Sequence, residues 1–478
     1  MKSISLLLFF IEITLAATSQ SSQLQKNDSV CLLVKKYFNE KSFEKLYQLS
    51  GEGFQKQIGP EKFKSISENN LFPLGEMKET VFEKNVNSVS FYKAVFPSMS
   101  LFLLVSLDSA GKLETFLFQP YKDEKAKKDY QVPFSNPLVT ALDKEVDTIA
   151  GSYIKQMNTV GLSVGILQDG KMHFYGYGET AIGNKTIPDS ATIFEIGSIS
   201  KTFTATLLAI AVGEGKVRLD DPVNKYLPDS IPLLQYNNRV VTLRDLSNHT
   251  SAIPRMPSNF QSTVVDPKDP YINYSIGNLY AFLKHLQLTR EPGKEYEYSN
   301  MAVGLLGTIL QKIYHRSYEE LILKYICNPL GMNDTRVSIR KNDSSFFAKG
   351  YNANGVYNGP WNLPSSFAGA GAIRSTARDM LKYADANSGK APGSLGKAMQ
   401  LTHDTTFSDN QATIGLGWHY IQPGDKKVLF HNGGTGGYRT YLAINTQKKI
   451  AVVILSNCAT SPDQEGNALM KWLEKSGI

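Results

Sequence analysis

Cysteine is scarce in this chain, with only Cys31, Cys327 and Cys458 among 478 residues. Three thiols so far apart make neither a metal cluster nor a disulfide framework. The expectation is three isolated thiols, with Cys327 and Cys458 acting as buried apolar fillers. Histidine is also thin: His173, His249, His285, His315, His403 and His419 show no ligand spacing, and H-E-x-x-H is absent. These six are expected to be structural or on the surface, and no metal or cofactor is called for. Neither a carboxylate pair of glycosidase type nor a G-x-S-x-G nucleophile elbow stands out. No internal repeat occurs. The charge of +7 arises from 51 basic and 44 acidic residues spread along the chain. With no dense basic tract, nucleic acid is excluded as a partner, while an anionic surface such as a cell envelope is weakly favoured.

The first residues, MKSISLLLFFIEITLAATSQ, have the layout of a secretory signal peptide: Lys2, an apolar run from Ile4 to Leu15, and small residues at Thr14, Ala16 and Ala17. Residues 1–17 are assigned to it. The run is short for a membrane anchor and Glu12 is costly in lipid, and no cysteine stands at the cleavage point to make a lipoprotein. Beyond it no stretch is long and apolar enough to span a membrane. Export is expected, to the periplasm, the cell envelope or the extracellular space.

The length suggests two domains, and 42 % hydrophobic with 20 % charged residues fits globular ones. Residues 25–123 read as a small α+β unit. A helix is predicted over Val30 to Ser50 and another over Pro60 to Ile66, with strands from Met77 to Pro120. The pattern resembles nuclear-transport-factor-like accessory domains. Residues 124–137, rich in lysine, read as a linker. In 138–478 a helix is predicted over Leu142 to Met157, then a hairpin turning at Asp169-Gly170. Thr242 and Asp245 make a capping box. IGLGWHYI, KKVLFHNG, GYRTYLAIN and KKIAVVILSN read as strands, and Glu465 to Glu474 as a closing helix. Strands at both ends of this domain imply one antiparallel sheet in which the first hairpin joins the last strands. Helices flank it, the middle forms a mostly helical lobe, and a cleft between lobe and sheet is the default site.

In FEIGSISKTFTATLLAIAVGEGK, Ser198 and Lys201 stand three apart at the mouth of an apolar helix, so they share a face. A lysine held in a dry cleft can lose its proton and accept that of a serine hydroxyl. S-x-x-K by itself is common. Tyr298, in KEYEYSNMAVGLLG, is either a proton-transfer group beside Lys201 or a tyrosine packing the cleft wall. Asn300 either offers its amide to Lys201 and a substrate carbonyl or is a turn residue before a helix beginning at Met301. In LFHNGGTGGYRTYLAIN, Gly433, Gly434, Gly436 and Gly437 make a turn between strands or a close approach to a ligand. No lysine and hydroxyl residue follow at the spacing of a phosphate loop.

Taken together and in this order, the three segments resemble the motifs of the serine beta-lactamase and penicillin-binding protein superfamily, in its class C beta-lactamase, DD-peptidase and esterase branch. TLRDLSNHTSAIP and AGAGAIRSTARDMLKY are similar to connecting segments of the same family. The likeness runs from about Leu138 to the C-terminus. It implies an α/β fold of beta-lactamase/transpeptidase type, preceded here by the small α+β domain, and a site of Ser198, Lys201, Tyr298, Asn300, His431 and Gly434. Ser198 would be the nucleophile and Lys201 its helper. Tyr298 would be the general base, its pKa lowered by a neighbouring cation, and the backbone N–H groups of Ser198 and Gly434 would form the oxyanion hole. His431 stands where beta-lactamases carry lysine, and its partial charge weighs against efficient beta-lactam hydrolysis. The expected function is that of an exported serine hydrolase forming an acyl-enzyme, DD-peptidase-like, on small-molecule or peptide substrates such as D-amino-acid peptides or peptidoglycan stems. A small-ester esterase, a class C-like beta-lactamase and a non-enzymatic envelope-binding protein are the alternatives. Loops at Asn259 to Tyr274 and Asn342 to Pro364 are expected to shape the pocket.

Overall fold

The computed structural model describes residues 25–476 apart from 87, 98, 122–127, 129, 130, 341, 342, 411, 423 and 424. The segment read as a signal peptide and much of the lysine-rich segment lie outside the described residues. The chain divides between Lys125 and Ala126 into two compact units.

In the first unit the predicted helix over Val30 to Ser50 is two helices, 25–39 and Phe43–Gln48. The break has a local cause. Asn39 turns its amide onto Met77, accepting from its N–H at 2.8 Å and donating to its carbonyl at 3.1 Å, and Lys41 then takes a left-handed φ of 53°. The helix is thereby stopped and tied to the start of the sheet. The second predicted helix is found at Pro60–Ile66. Four strands follow as an antiparallel meander in chain order, Glu79–Val86, Val89–Val95, Ser100–Leu107 and Leu113–Pro120. Alternate residues of Val89–Val95 are buried, so one sheet face packs on Val34, Phe38, Leu46 and Phe63.

The second unit is built on an eight-stranded antiparallel sheet. Its order is Phe407–Ser408, Thr413–Ile414, His419–Gln422, Asp425–Gly434, Arg439–Asn445, Ile450–Ser456, Gly161–Gln168 and Lys171–Gly178. The first hairpin therefore pairs with the last strands, as expected from strands at both ends of the sequence. It turns at Asp169 and Gly170, whose φ values of 52° and 72° suit a two-residue turn of the type that matches strand twist. Helices Ala141–Ile154 and Asp463–Ser476 cover one face through Val146, Tyr153, Leu469 and Leu473. The other face packs on the helical lobe through Leu167, Leu442, Val453 and Leu455. Burial on both sides is why Ile450–Ser456 reads as an unbroken apolar run.

Inside the lobe, helix Ser200–Gly213 is buried around its whole circumference from Ser200 to Ala211, so its polar first turn is packed in protein. Capping boxes start Ala141–Ile154 at Thr140, Leu243–Asn248 at Thr242 and Ile276–His285 at Ser275. All three cysteines are free and buried.

The segment IGLGWHYI, expected as one strand, is interrupted between Thr413–Ile414 and His419–Gln422. Gly417 sits in the interruption with φ 69°, and a Cβ there would lie 2.8 Å from the Lys201 carbonyl oxygen and 2.7 Å from Ala205 Cβ. The turn lets the sheet edge touch the first turn of the buried helix. Both conformation and space forbid a side chain, so Gly417→Ala is expected to cost about 1–3 kcal/mol. Thermal unfolding should show a melting temperature lowered by several degrees, and an unchanged one would contradict the close approach.

Candidate active site

Ser198 lies in a 3-10 turn, Gly197–Ile199, that runs directly into helix Ser200–Gly213. The turn is seated against the end of strand Asp425–Gly434. Gly197 has φ 51°, and a Cβ on it would meet the Gly434 amide nitrogen at 2.6 Å. Thr440 Oγ1 donates to the Ile196 carbonyl at 2.9 Å, pinning the same turn to the next strand. Gly434 is thus brought next to the serine turn, as the sequence led one to expect.

Lys201 Nζ lies 2.9 Å from Ser198 Oγ, 2.9 Å from Asn300 Oδ1 and 2.6 Å from the Ala370 carbonyl oxygen. Ala370 belongs to the AGAGAIRST segment, whose part in the site lay in a backbone atom. Asn300 is the first residue of helix Asn300–Tyr314, capped by Ser299, so it opens the helix instead of preceding it. The lysine is only 1 % exposed and has no carboxylate among these partners. Burial holds its pKa well below the usual lysine range, and the nearby positive charge of Arg255 pushes the same way.

Tyr298 completes the cluster. Lys201 Nζ stands 4.9 Å from its ring centre, and so does the guanidinium carbon of Arg255. A neighbouring cation is present, as the base role required. Burial nevertheless outweighs the lowering effects of the Ser198 hydroxyl and Arg255, and the phenol is held above its ordinary value. Burial therefore disfavours the charged form of each group, the ammonium of Lys201 and the phenolate of Tyr298.

Reasoning from sequence missed His249, His419 and Arg255. His249 ends helix Leu243–Asn248 in a left-handed conformation, stacks on Tyr298 with centroids 4.3 Å apart, and accepts the Ser299 N–H at 3.0 Å through Nδ1. It fixes the loop that carries Tyr298. His419 Nε2 is 2.8 Å from the Tyr296 hydroxyl. His431 is 2 % exposed, 5.2 Å from His419 between ring centres, and its Nδ1 donates to the Asn432 carbonyl at 2.6 Å. Burial keeps all three below the usual histidine range, His419 at about 4. The partial positive charge expected of His431 is absent at neutral pH. Among the described residues no group of three or more His, Cys, Asp or Glu side chains could hold a metal.

A cleft of about 500 Å³ opens over Ser198, Tyr298, Asn300 and Gly434. Tyr271 and Trp361, from the two loops expected to shape it, form its aromatic wall with ring centres 5.2 Å apart. The arrangement offers a hydroxyl touching a buried amine, a phenol beside both, and strand-end backbone next to the serine, which is the equipment for acyl transfer.

The sequence model of the Beta-lactamase family matches residues 146–474. A beta-lactamase of Pseudomonas fluorescens is 28 % identical over 353 residues, covering 66 % of this chain and 94 % of the relative. The D-alanyl-D-alanine-carboxypeptidase/endopeptidase AmpH of Escherichia coli K12 is 26 % identical, covering 65 % and 82 %. Among solved structures, a class C beta-lactamase superposes with a TM-score of 0.62 at 27 % identity, covering 70 % of this chain and 96 % of that one. A beta-lactamase/D-alanine carboxypeptidase from Pseudomonas syringae gives 0.61 at 26 %, covering 71 % and 100 %.

Burying neutral imidazoles makes the fold acid-sensitive. Below about pH 6.5 the unfolded chain takes up protons that the folded site refuses, so stability is lost as pH falls from about 6.5 toward 4, the folded value of His419. The melting temperature is expected to drop between pH 7 and pH 5, and to drop less in His419→Asn. Equal slopes in the two proteins would contradict a neutral His419.

Proposed function

Because this chain belongs to the Beta-lactamase family and is a serine hydrolase, we propose that Ser198 is its nucleophile and that it acts as a DD-peptidase-like hydrolase of D-amino-acid peptides or peptidoglycan stems. The observation that carries this reading is the 2.9 Å contact between Ser198 Oγ and a buried Lys201 whose other partners are uncharged. A neutral amine takes the hydroxyl proton as Ser198 Oγ bonds to the substrate carbonyl carbon. Charge on the carbonyl oxygen is met by the N–H groups of Ser198 and Gly434. The tetrahedral intermediate then collapses, the C–N or C–O bond breaks, and the departing amine or alcohol receives the proton from Lys201 through Tyr298. Water repeats the sequence on the acyl-enzyme and frees Ser198. Asn300 keeps the amine aimed at the serine throughout, and the neutral His431 contributes shape and a hydrogen bond.

The carboxypeptidase/endopeptidase name of the Escherichia coli relative supports the peptide reading, as does the open aromatic cleft. The uncharged His431 favours peptides or small esters over fast beta-lactam turnover. The amino-terminal residues 1–17 act in this account as an export signal, residues 124–137 as a linker, and 25–123 as an accessory domain that positions the hydrolase at the envelope. Among the described residues no helix is long and apolar enough to cross a membrane.

An intact-mass time course of the mature protein with a penicillin and, separately, an activated ester tests the mechanism, with Ser198→Ala as control. Wild type is expected to gain one acyl mass that persists with penicillin, and Ser198→Ala none. A fleeting adduct with rapid drug consumption would replace the peptidase by a beta-lactamase. Labelling by the ester alone would favour an esterase. Equal labelling of both proteins, or of neither by either reagent, would remove Ser198 as nucleophile.

A further inference from the structure

The mouth of the cleft is lined by two guanidiniums, Arg255 and Arg439, and by no carboxylate. Their situations differ. Arg439 is half-buried, its Nη1 donates to the carbonyls of Thr435 at 2.6 Å and Tyr438 at 2.8 Å, and Asp463 lies within its field. Its charge serves the turn that carries Gly434. Arg255 is exposed, and among the described residues no hydrogen bond or ion pair engages its guanidinium. Its backbone, by contrast, is fixed at the site. The Ser299 hydroxyl donates to the Pro254 carbonyl at 2.8 Å, and the Met301 N–H donates to the Arg255 carbonyl at 3.2 Å.

Around the serine, burial disfavours the charged forms of Lys201, His249, His419 and His431 and of the Tyr298 phenol. A substrate entering the cleft therefore meets two guanidiniums, and of these Arg255 is the one whose N–H donors are not engaged by the described residues. The Arg255 guanidinium carbon stands 4.9 Å from the centre of the Tyr298 ring, and the side chain lines the cleft, so its planar fork of N–H donors borders the space a ligand would fill. Such a fork matches the two oxygens of a carboxylate.

We propose that Arg255 is a specificity-determining residue that binds a carboxylate of the substrate and so sets the scissile carbonyl against Ser198. The assignment rests on Ser198 being the nucleophile. It gives the substrate class more closely: acyl compounds whose leaving group carries a free carboxylate within reach of the scissile bond, such as a peptide cut next to its C-terminal residue.

Two acylated depsipeptides that differ only in ending as a free carboxylate or as its carboxamide test this, assayed by kcat/KM in the full-length mature protein. Wild type is expected to prefer the carboxylate by about 10–100-fold, the range of a hydrogen-bonded charged pair, with the difference mainly in KM. In Arg255→Met the preference should fall to near one, and Arg255→Lys should restore part of it. Because the readout is a ratio, a general loss of activity does not affect it. A preference that survives in Arg255→Met would assign the carboxylate to another group and overturn the proposal. So would equal losses on both substrates, which would leave the guanidinium acting only through Tyr298. Absence of any acyl mass on wild-type Ser198 with either substrate would instead remove the nucleophile reading, and this assignment with it.

Discussion

A lysine ammonium costs several kcal/mol to bury without a counter-ion, and Lys201 is buried against three uncharged groups: the Ser198 hydroxyl, the Asn300 amide oxygen and the Ala370 carbonyl. Two of these can only accept a hydrogen bond. The third, the Ser198 hydroxyl, can accept from the amine or, when the amine is neutral, donate to it, and none of the three supplies a negative charge to an ammonium. The same shortage of negative charge extends outward to the protonated Tyr298 and the three neutral histidines. Solvation thus bears on the chemistry of the cleft: it disfavours the ammonium of Lys201 and the phenolate of Tyr298, while the exposed Arg255 guanidinium stands at the cleft.

That condition depends on the scaffold. Helix Ser200–Gly213 must be buried on every side for its first-turn lysine to be dry, and the sheet must press against it. The interruption at Gly417 and the packing of Gly197 on Gly434 supply the two close approaches that bring strand backbone up to the helix. Thr440 and Ser299 then lock the neighbouring segments with single hydrogen bonds to Ile196 and Pro254. Burial and catalysis therefore share residues, and changes that loosen packing here should alter proton affinities as well as stability.

Much of this was legible in the sequence because it is local or periodic. The capping box at Thr242, the Asp169-Gly170 turn, the apolar run after Lys201 and the strands at both ends of the second unit each follow from spacing, and the sheet order follows from the last of these. Ser198, Lys201 and Asn300 come together as their motifs imply. What escaped was long-range. His249 and His419 lie 170 residues apart in sequence and meet only through the fold, and neither has metal-ligand spacing to mark it. Arg255 directly follows a recognisable segment, but its place over Tyr298 depends on how that loop is pinned. The break at Lys41 depends on Asn39 reaching Met77, 38 residues away and just ahead of the first strand. The proton balance between Lys201 and Tyr298 is set by burial, which a motif does not encode.

The state of Lys201 is the point on which the account turns, and it can be read directly. In protein carrying 13C-labelled lysine, the Lys201 side-chain resonance, assigned by its loss in Lys201→Met, should show the shift of a neutral amine at pH 7 and should titrate well below the ordinary lysine value near 10.5. A resonance that stays ammonium-like at pH 7 and titrates near that value would contradict a lysine base and return the role to Tyr298.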